Sequence, residues 1–249
     1  ATNPTTLENA GASTGSAPVT LYTGGGLTDI DFVGASLGGG HILVSLDGYV
    51  TGDTLTLPTG VTHAVNAVQL SGTSVQISNG TAWTTLGTVD ATSSGLGKAL
   101  KINLNSAATE DNIGYVIDAL RYYTSSDNAT VNQTDLTRVY SIVVNDGNNN
   151  ALAGGPTTLD SNIIAGGVIT ITPVNDDPSL YLLGPLISID TSVTWNELAN
   201  TTHLAATISA SAALSDPDNA SLTSLTITVG PRPDGDSEIL TISGVAFPL

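Results

Sequence analysis

Apolar and polar residues alternate along most of this chain in short runs, each closed by Gly, Asn or Asp. In "KALKINLN" (98–105), Ala99, Leu100, Ile102 and Leu104 flank Lys101 and Asn103, the period of a strand with one buried face. The same signal predicts strands at 18–22, 41–46, 53–57, 64–70, 74–78, 82–89, 99–104, 138–144 and 167–174. Many short strands with regular turn signals predict an all-β protein of the β-sandwich kind. One stretch has a different period. In "SAATEDNIGYVIDALRYY" (106–123), Ile113, Val116, Ile117 and Leu120 fall at helical spacing, so a short crossover helix is expected near 107–121. Ser106 or Thr109 is placed to cap it, and Glu110 and Asp111 favour the first turn of its dipole.

The apolar run 169–174 stops at Asn175, Asp176, Asp177 and Pro178, and a second apolar run starts at Leu180. Flanking motifs recur on either side of this break. "TTLENA" (5–10) pairs with "VTWNELAN" (193–200), "LTDIDF" (27–32) with "LSDPDN" (214–219), and "GDTLTL" (52–57) with "GDSEILTI" (235–242). The common spacing is roughly 185 residues, the mark of an internal repeat. Residues 1–174 then form one nearly complete repeat, 175–178 a linker, and 179–249 the opening part of a second. The chain begins and ends within its pattern, as expected of a piece of something longer.

Composition narrows the function. The 249 residues hold 22 acidic and 5 basic side chains, a net charge of −17. Such a surface repels phosphate backbones and anionic lipid, so nucleic-acid binding and membrane association are not expected. Divalent cations are its natural counterions. Without cysteine there are no disulfides or thiolate metal sites, and no 18-residue apolar run predicts a membrane span. His41, His63 and His203 are scattered and no HExxH is present; with 2 Trp and 2 Phe there is no aromatic platform beside an acid pair, so no enzyme is expected. Trp83 and Trp195 lie in strand-like runs where core packing is expected.

The Glu near the first strand ("TLEN", "WNEL"), the Asp-x-Asp motifs ("DID", "DPD"), "RVYSIVVNDG" and the inter-repeat "PVNDDP" together resemble the cadherin-like, Ig-like repeats of giant bacterial surface proteins and adhesins. That resemblance implies tandem β-sandwich repeats with calcium at each joint. Carried over, the joint in this chain would use Glu8, Asn175, Asp176, Asp177, Asp216 and Asp218. Asp29 and Asp31 would serve the preceding joint and Glu197 the following one. For the acidic motif in the middle of the upstream repeat, Glu110, Asp111 and Asp127 are weaker candidates.

The chemistry agrees with that assignment. Calcium takes about six to eight hard oxygens in a tolerant geometry, and Asp-x-Asp in an irregular turn can aim both carboxylates at one ion. Pro178 fixes its own φ and holds Asp177 extended, which stiffens the exit. The expected function is an extracellular, cell-surface structural or adhesion module: a calcium-rigidified repeat of a long stalk. Its partners would be neighbouring repeats or identical subunits, with any cell-surface or glycan ligand met by other parts of the parent protein. The alternative is a self-assembling filament or surface-layer subunit, in which a neighbouring chain completes the partial second repeat by adding strands.

Overall fold

A computed structural model describes residues 3–9, 15–25, 36–97, 99–147, 167–182, 192–193, 206–231 and 238–249. Its regular elements are strands but for one helix: β1 Thr5–Leu7, β2 Val19–Thr20, β3 His41–Asp47, β4 Asp53–Thr56, β5 Val65–Ser71, β6 Ser74–Asn79, β7 Trp83–Ser94 and β8 Ala99–Leu104. The single helix among the described residues, α1, runs Glu110–Ala119. After it come β9 Arg121–Thr124, β10 Thr137–Asn145, β11 Gly167–Thr172, β12 Ser179–Tyr181, β13 Ala213–Ser215, β14 Ile239–Ile242 and β15 Val245–Pro248.

The all-β expectation holds. Eight strands form one sheet in the order β1-β11-β10-β3-β8-β7-β6-β5, and β2-β9-β4 form a second. The alternation seen in the sequence is the reason. Ile42, Val44 and Leu46 of β3, Leu100 and Ile102 of β8, Tyr140 and Ile142 of β10, and Ile169 and Ile171 of β11 are buried, while their neighbours in sequence are more open. They share one core with Leu55 of β4, Tyr122 of β9 and Ile113, Val116 and Ile117 of α1. Burying a side chain of this size is worth about 1.5–3 kcal/mol. Packing is close where strands meet: a Cβ on Gly167, at the head of β11, would stand 2.0 Å from the Tyr140 ring.

Thr109 is the residue that caps α1. Its hydroxyl accepts the Asn112 N–H and the Asn112 side chain accepts the Thr109 N–H, a reciprocal capping box. Glu110 and Asp111 lie in the first turn, as the dipole favours. The helix is shorter than the sequence period suggests. Leu120 turns to extended backbone, and β9 follows at once, with Tyr122 and Thr124 buried and Arg121 and Tyr123 half-buried. Period two replaces period 3.6 within two residues.

Inside the core lies an ion pair. Arg138, fully buried, points inward from β10 in the same alternation as Tyr140 and Ile142. Its Nε donates to Asp53 Oδ2 at 2.7 Å. Asp53 also accepts from the Tyr122 hydroxyl at 2.7 Å and the Val50 N–H at 2.8 Å. Burial, and next the Asp53 charge, push the Tyr122 phenol well above the ordinary tyrosine range, so it stays a neutral donor.

By contact density the chain divides into two compact units, residues 1–218 and 219–249. Within the first, β12 pairs antiparallel with β13, Ser179 opposite Ser215. The second unit holds the hairpin β14–β15.

Candidate functional site

Four stretches of backbone end at one place, and strand register explains why. β1 runs parallel to β11, with Leu7 opposite Thr172. Parallel partners finish at the same end of a sheet, so Glu8 emerges beside Val174, and the Glu8 N–H continues the ladder to the Thr172 carbonyl at 2.9 Å. β10 is antiparallel to β11, with Thr137 opposite Thr170, so the loop entering β10 lies at that end too. Antiparallel pairing of β12 with β13 then brings the Asp216–Asp218 turn back to the start of β12, next to Asp176.

Glu8 is 3% exposed. Its Oε1 accepts the Thr130 N–H at 2.7 Å, the Thr130 hydroxyl donates to both carboxylate oxygens at 3.3 and 3.2 Å, and Oε2 accepts the Val174 N–H at 3.3 Å. One carboxylate thus ties the β9–β10 loop to the backbone just past β11. The Asp216 carboxylate accepts the Asp218 N–H at 3.0 Å, closing the Asp-x-Asp turn on itself. Asp218, 4% exposed, accepts the Asp176 N–H on Oδ2. Its Oδ1 and the Asp176 Oδ2 are both shielded from solvent and have no hydrogen-bond partner. A buried acceptor left in that state costs about 1–3 kcal/mol, and more when it is charged.

Electrostatics point the same way. The Asp176 carboxyl is raised above the ordinary aspartate range, first by loss of hydration and then by the charges of Asp218, Asp127, Glu8 and Asp216. Four carboxylates from three other segments therefore bear on Asp176. As they stand, no three acidic or histidine side chains among the described residues are placed to hold a metal ion. The orphaned oxygens fit a hard cation, which would supply the missing partner to Asp176 and Asp218.

Of the residues singled out from sequence, Glu8, Asp176, Asp216 and Asp218 come together. Asn175 and Asp177 are exposed in the same linker, with the Asn175 side-chain amide donating to the Asp176 carbonyl at 3.2 Å. Asp29, Asp31 and Glu197 lie outside the described residues, as do Trp195 and His203. Among the mid-repeat candidates, Asp127 is at the site, where its Oδ1 accepts from the buried Asn9 amide at 2.6 Å. Glu110 and Asp111 serve α1 instead. Trp83 is not in the core. It is half-buried, with its ring centroid 4.7 Å from that of exposed His63.

Sequence reasoning missed Thr130 and Asn9, whose roles depend on contacts 122 and 118 positions away along the chain. One local signal was there to read: "NATVNQT" (128–134), whose alternating Asn and hydroxyl residues favour side-chain bonds to nearby backbone. Val131, Asn132 and Gln133 all have positive φ, 50°, 55° and 63°. Left-handed backbone costs an L-residue about 1–2 kcal/mol, less for Asn.

Comparison with known proteins found no matching family model, no matching curated protein and no matching solved structure. Among the described residues, no helix is long and apolar enough to cross a membrane.

Proposed function

We propose that the chain is a structural module of an extracellular surface protein: cadherin-like, Ig-like β-sandwich repeats whose seam is stiffened by calcium. The observation that carries this reading is the gathering of Glu8, Asp127, Asp176, Asp216 and Asp218 at one seam, with buried carboxylate oxygens on Asp176 and Asp218 left unpartnered. Asn175 and Asp177 stand beside them to add oxygens. Bound calcium offsets the mutual repulsion and fixes the linker, so the module supplies reach and stiffness, not chemistry. Neighbouring repeats or identical subunits are its partners, and any cell-surface or glycan ligand is met by other parts of the parent protein.

Calorimetric titration of the whole chain tests the reading. Calcium is expected to bind and magnesium to bind far more weakly, because magnesium demands near-octahedral geometry and dehydrates reluctantly, whereas calcium tolerates an irregular set of oxygens. Absence of any calcium heat, together with an unchanged unfolding transition at millimolar calcium, would sink it.

A second reading, self-assembly, is favoured by the apolar surface beyond the seam. None of the buried core residues lies after Ile171, and Leu225, Ile227, Ile239, Ile242, Val245 and Phe247 are exposed among the described residues. On the β14–β15 hairpin, Leu240, Ile242, Val245 and Phe247 share one face by register. An uncovered hairpin of this kind is a template for pairing with a second copy. Sedimentation velocity is expected to show concentration-dependent association; a monomer throughout the micromolar range removes this reading.

A further inference from the structure

The β9–β10 loop holds its shape in an unusual way. Asn128 accepts the Asn132 N–H at 2.7 Å on its side-chain oxygen and donates to the Asn132 side chain at 2.8 Å. Thr130 accepts the N–H groups of Thr134 at 3.0 Å and Asp135 at 2.9 Å on its carbonyl, and that of Gln133 at 3.3 Å on its hydroxyl. Below the turn, the buried Arg138 guanidinium donates to the Ala129 carbonyl through Nη2 and lies 3.3 Å from Asp135 through Nη1. Three successive left-handed residues are therefore held from both sides. Such over-determined strain marks a functional segment when it delivers a group to a site. Here the delivered group is Thr130, itself 1% exposed, whose N–H and hydroxyl both reach the Glu8 carboxylate.

We infer that Thr130 is a positioning residue for the cation seam, and that the left-handed turn 131–133 exists to aim its two donors at Glu8. The inference rests on the calcium reading above. Three donors, the Thr130 N–H and O–H and the Val174 N–H, occupy three of the roughly four lone-pair sites of the Glu8 carboxylate, and the remaining site is what a cation would take. Donors behind a ligating carboxylate fix its orientation, and their loss typically weakens metal binding 10–100-fold. Asn9 stands behind Asp127 in the same manner, through its 2.6 Å bond.

The test is calcium titration by calorimetry of the whole chain, as wild type, Thr130→Val and Thr130→Ser. Valine keeps the shape and the backbone N–H but loses the hydroxyl; serine keeps the hydroxyl. The expected result is binding weakened about 10-fold or more in Thr130→Val, from the same loss of outer donors, and close to wild type in Thr130→Ser. Wild-type affinity in Thr130→Val overturns the inference and leaves the calcium reading standing, as does equal weakening in both variants. No calcium binding to the wild-type chain overturns both. Should Thr130→Val fail to fold, Asn128→Ala loosens the turn from its exposed side. Weakened binding there supports the inference, and wild-type binding overturns it.

Discussion

Replacing Arg138 with methionine is expected to destabilise the protein by about 3–5 kcal/mol, the cost of removing one partner from a buried ion pair. Both side chains of the pair are fully buried. Arg138 also donates to the Thr137 carbonyl at 2.9 Å and to the Ala129 carbonyl, so its loss takes a donor from two backbone carbonyls as well as a charge from the pair. Asp53 would keep only the Tyr122 hydroxyl and the Val50 N–H, two neutral donors in an apolar interior. Methionine refills most of the volume, so the loss is electrostatic and not a cavity effect. The double variant Arg138→Met with Asp53→Leu is expected to recover much of the stability, since well-packed apolar replacements of buried pairs are often neutral or better. Urea unfolding of the three proteins decides the matter. A single variant within about 1 kcal/mol of wild type, the ceiling for a surface pair, would mean that the pair is solvated in solution.

That ion pair also shows what the sequence could and could not convey. Alternation in "TRVYSIVVN" places Arg138 on the same face as Tyr140, Ile142 and Val144, so its inward direction was readable from parity alone. Its partner was not, because Asp53 is 85 positions upstream on a strand of the other sheet. Strands β3, β6, β8, β10 and β11 announced themselves by period two. β9 did not, because four residues directly after a helix are too few to show their own period beside it. β1 is only three residues long, yet its parallel register with β11 is what delivers Glu8 to the seam. Trp83 was expected inside because it lies in a strand-like run. It shares a face with Thr85 and lies opposite Ser78, and there it meets His63. Glu8, Asp216 and Asp218 were legible through repetition of Glu and Asp-x-Asp, and Asp176 through the break in the apolar run, while Asp127 was only a weak candidate. Thr130 and Asn9 were not, since a hydroxyl or amide that orients a carboxylate leaves no periodic trace.

The second large effect concerns Asp218, and its sign separates a cation ligand from an ordinary structural acid. Without a cation, Asp218 Oδ1 and Asp176 Oδ2 are shielded and unpartnered. The Asp176 carboxyl is raised by burial and by four neighbouring acids, Asp218 foremost. For an acid whose folded value is raised, the folded state holds a proton that the unfolded chain releases. Its contribution to stability is therefore present below the ordinary aspartate range and is lost as pH rises through the raised folded value. At neutral pH the cation-free protein bears that penalty. Asp218→Asn removes one charge. Its amide oxygen can still accept the Asp176 N–H, while its NH2 donates towards Asp176 Oδ2. The variant is expected to be more stable than wild type in chelator by about 1–3 kcal/mol, the cost of the unsatisfied group it repairs. In calcium that advantage narrows by about 2.3 kcal/mol, and the order reverses wherever the advantage in chelator is smaller than that. At a concentration 100 times the wild-type Kd, binding adds about 2.7 kcal/mol to the wild type. A variant bound about 100-fold more weakly gains only about 0.4 kcal/mol by the same relation. In chelator, lowering the pH towards the ordinary aspartate range should bring the two unfolding curves together, because protonation of Asp176 relieves the wild type. If Asp218→Asn lowers stability in chelator and keeps the full response to calcium, Asp218 is a structural acid, and the seam is held by hydrogen bonds instead of a cation.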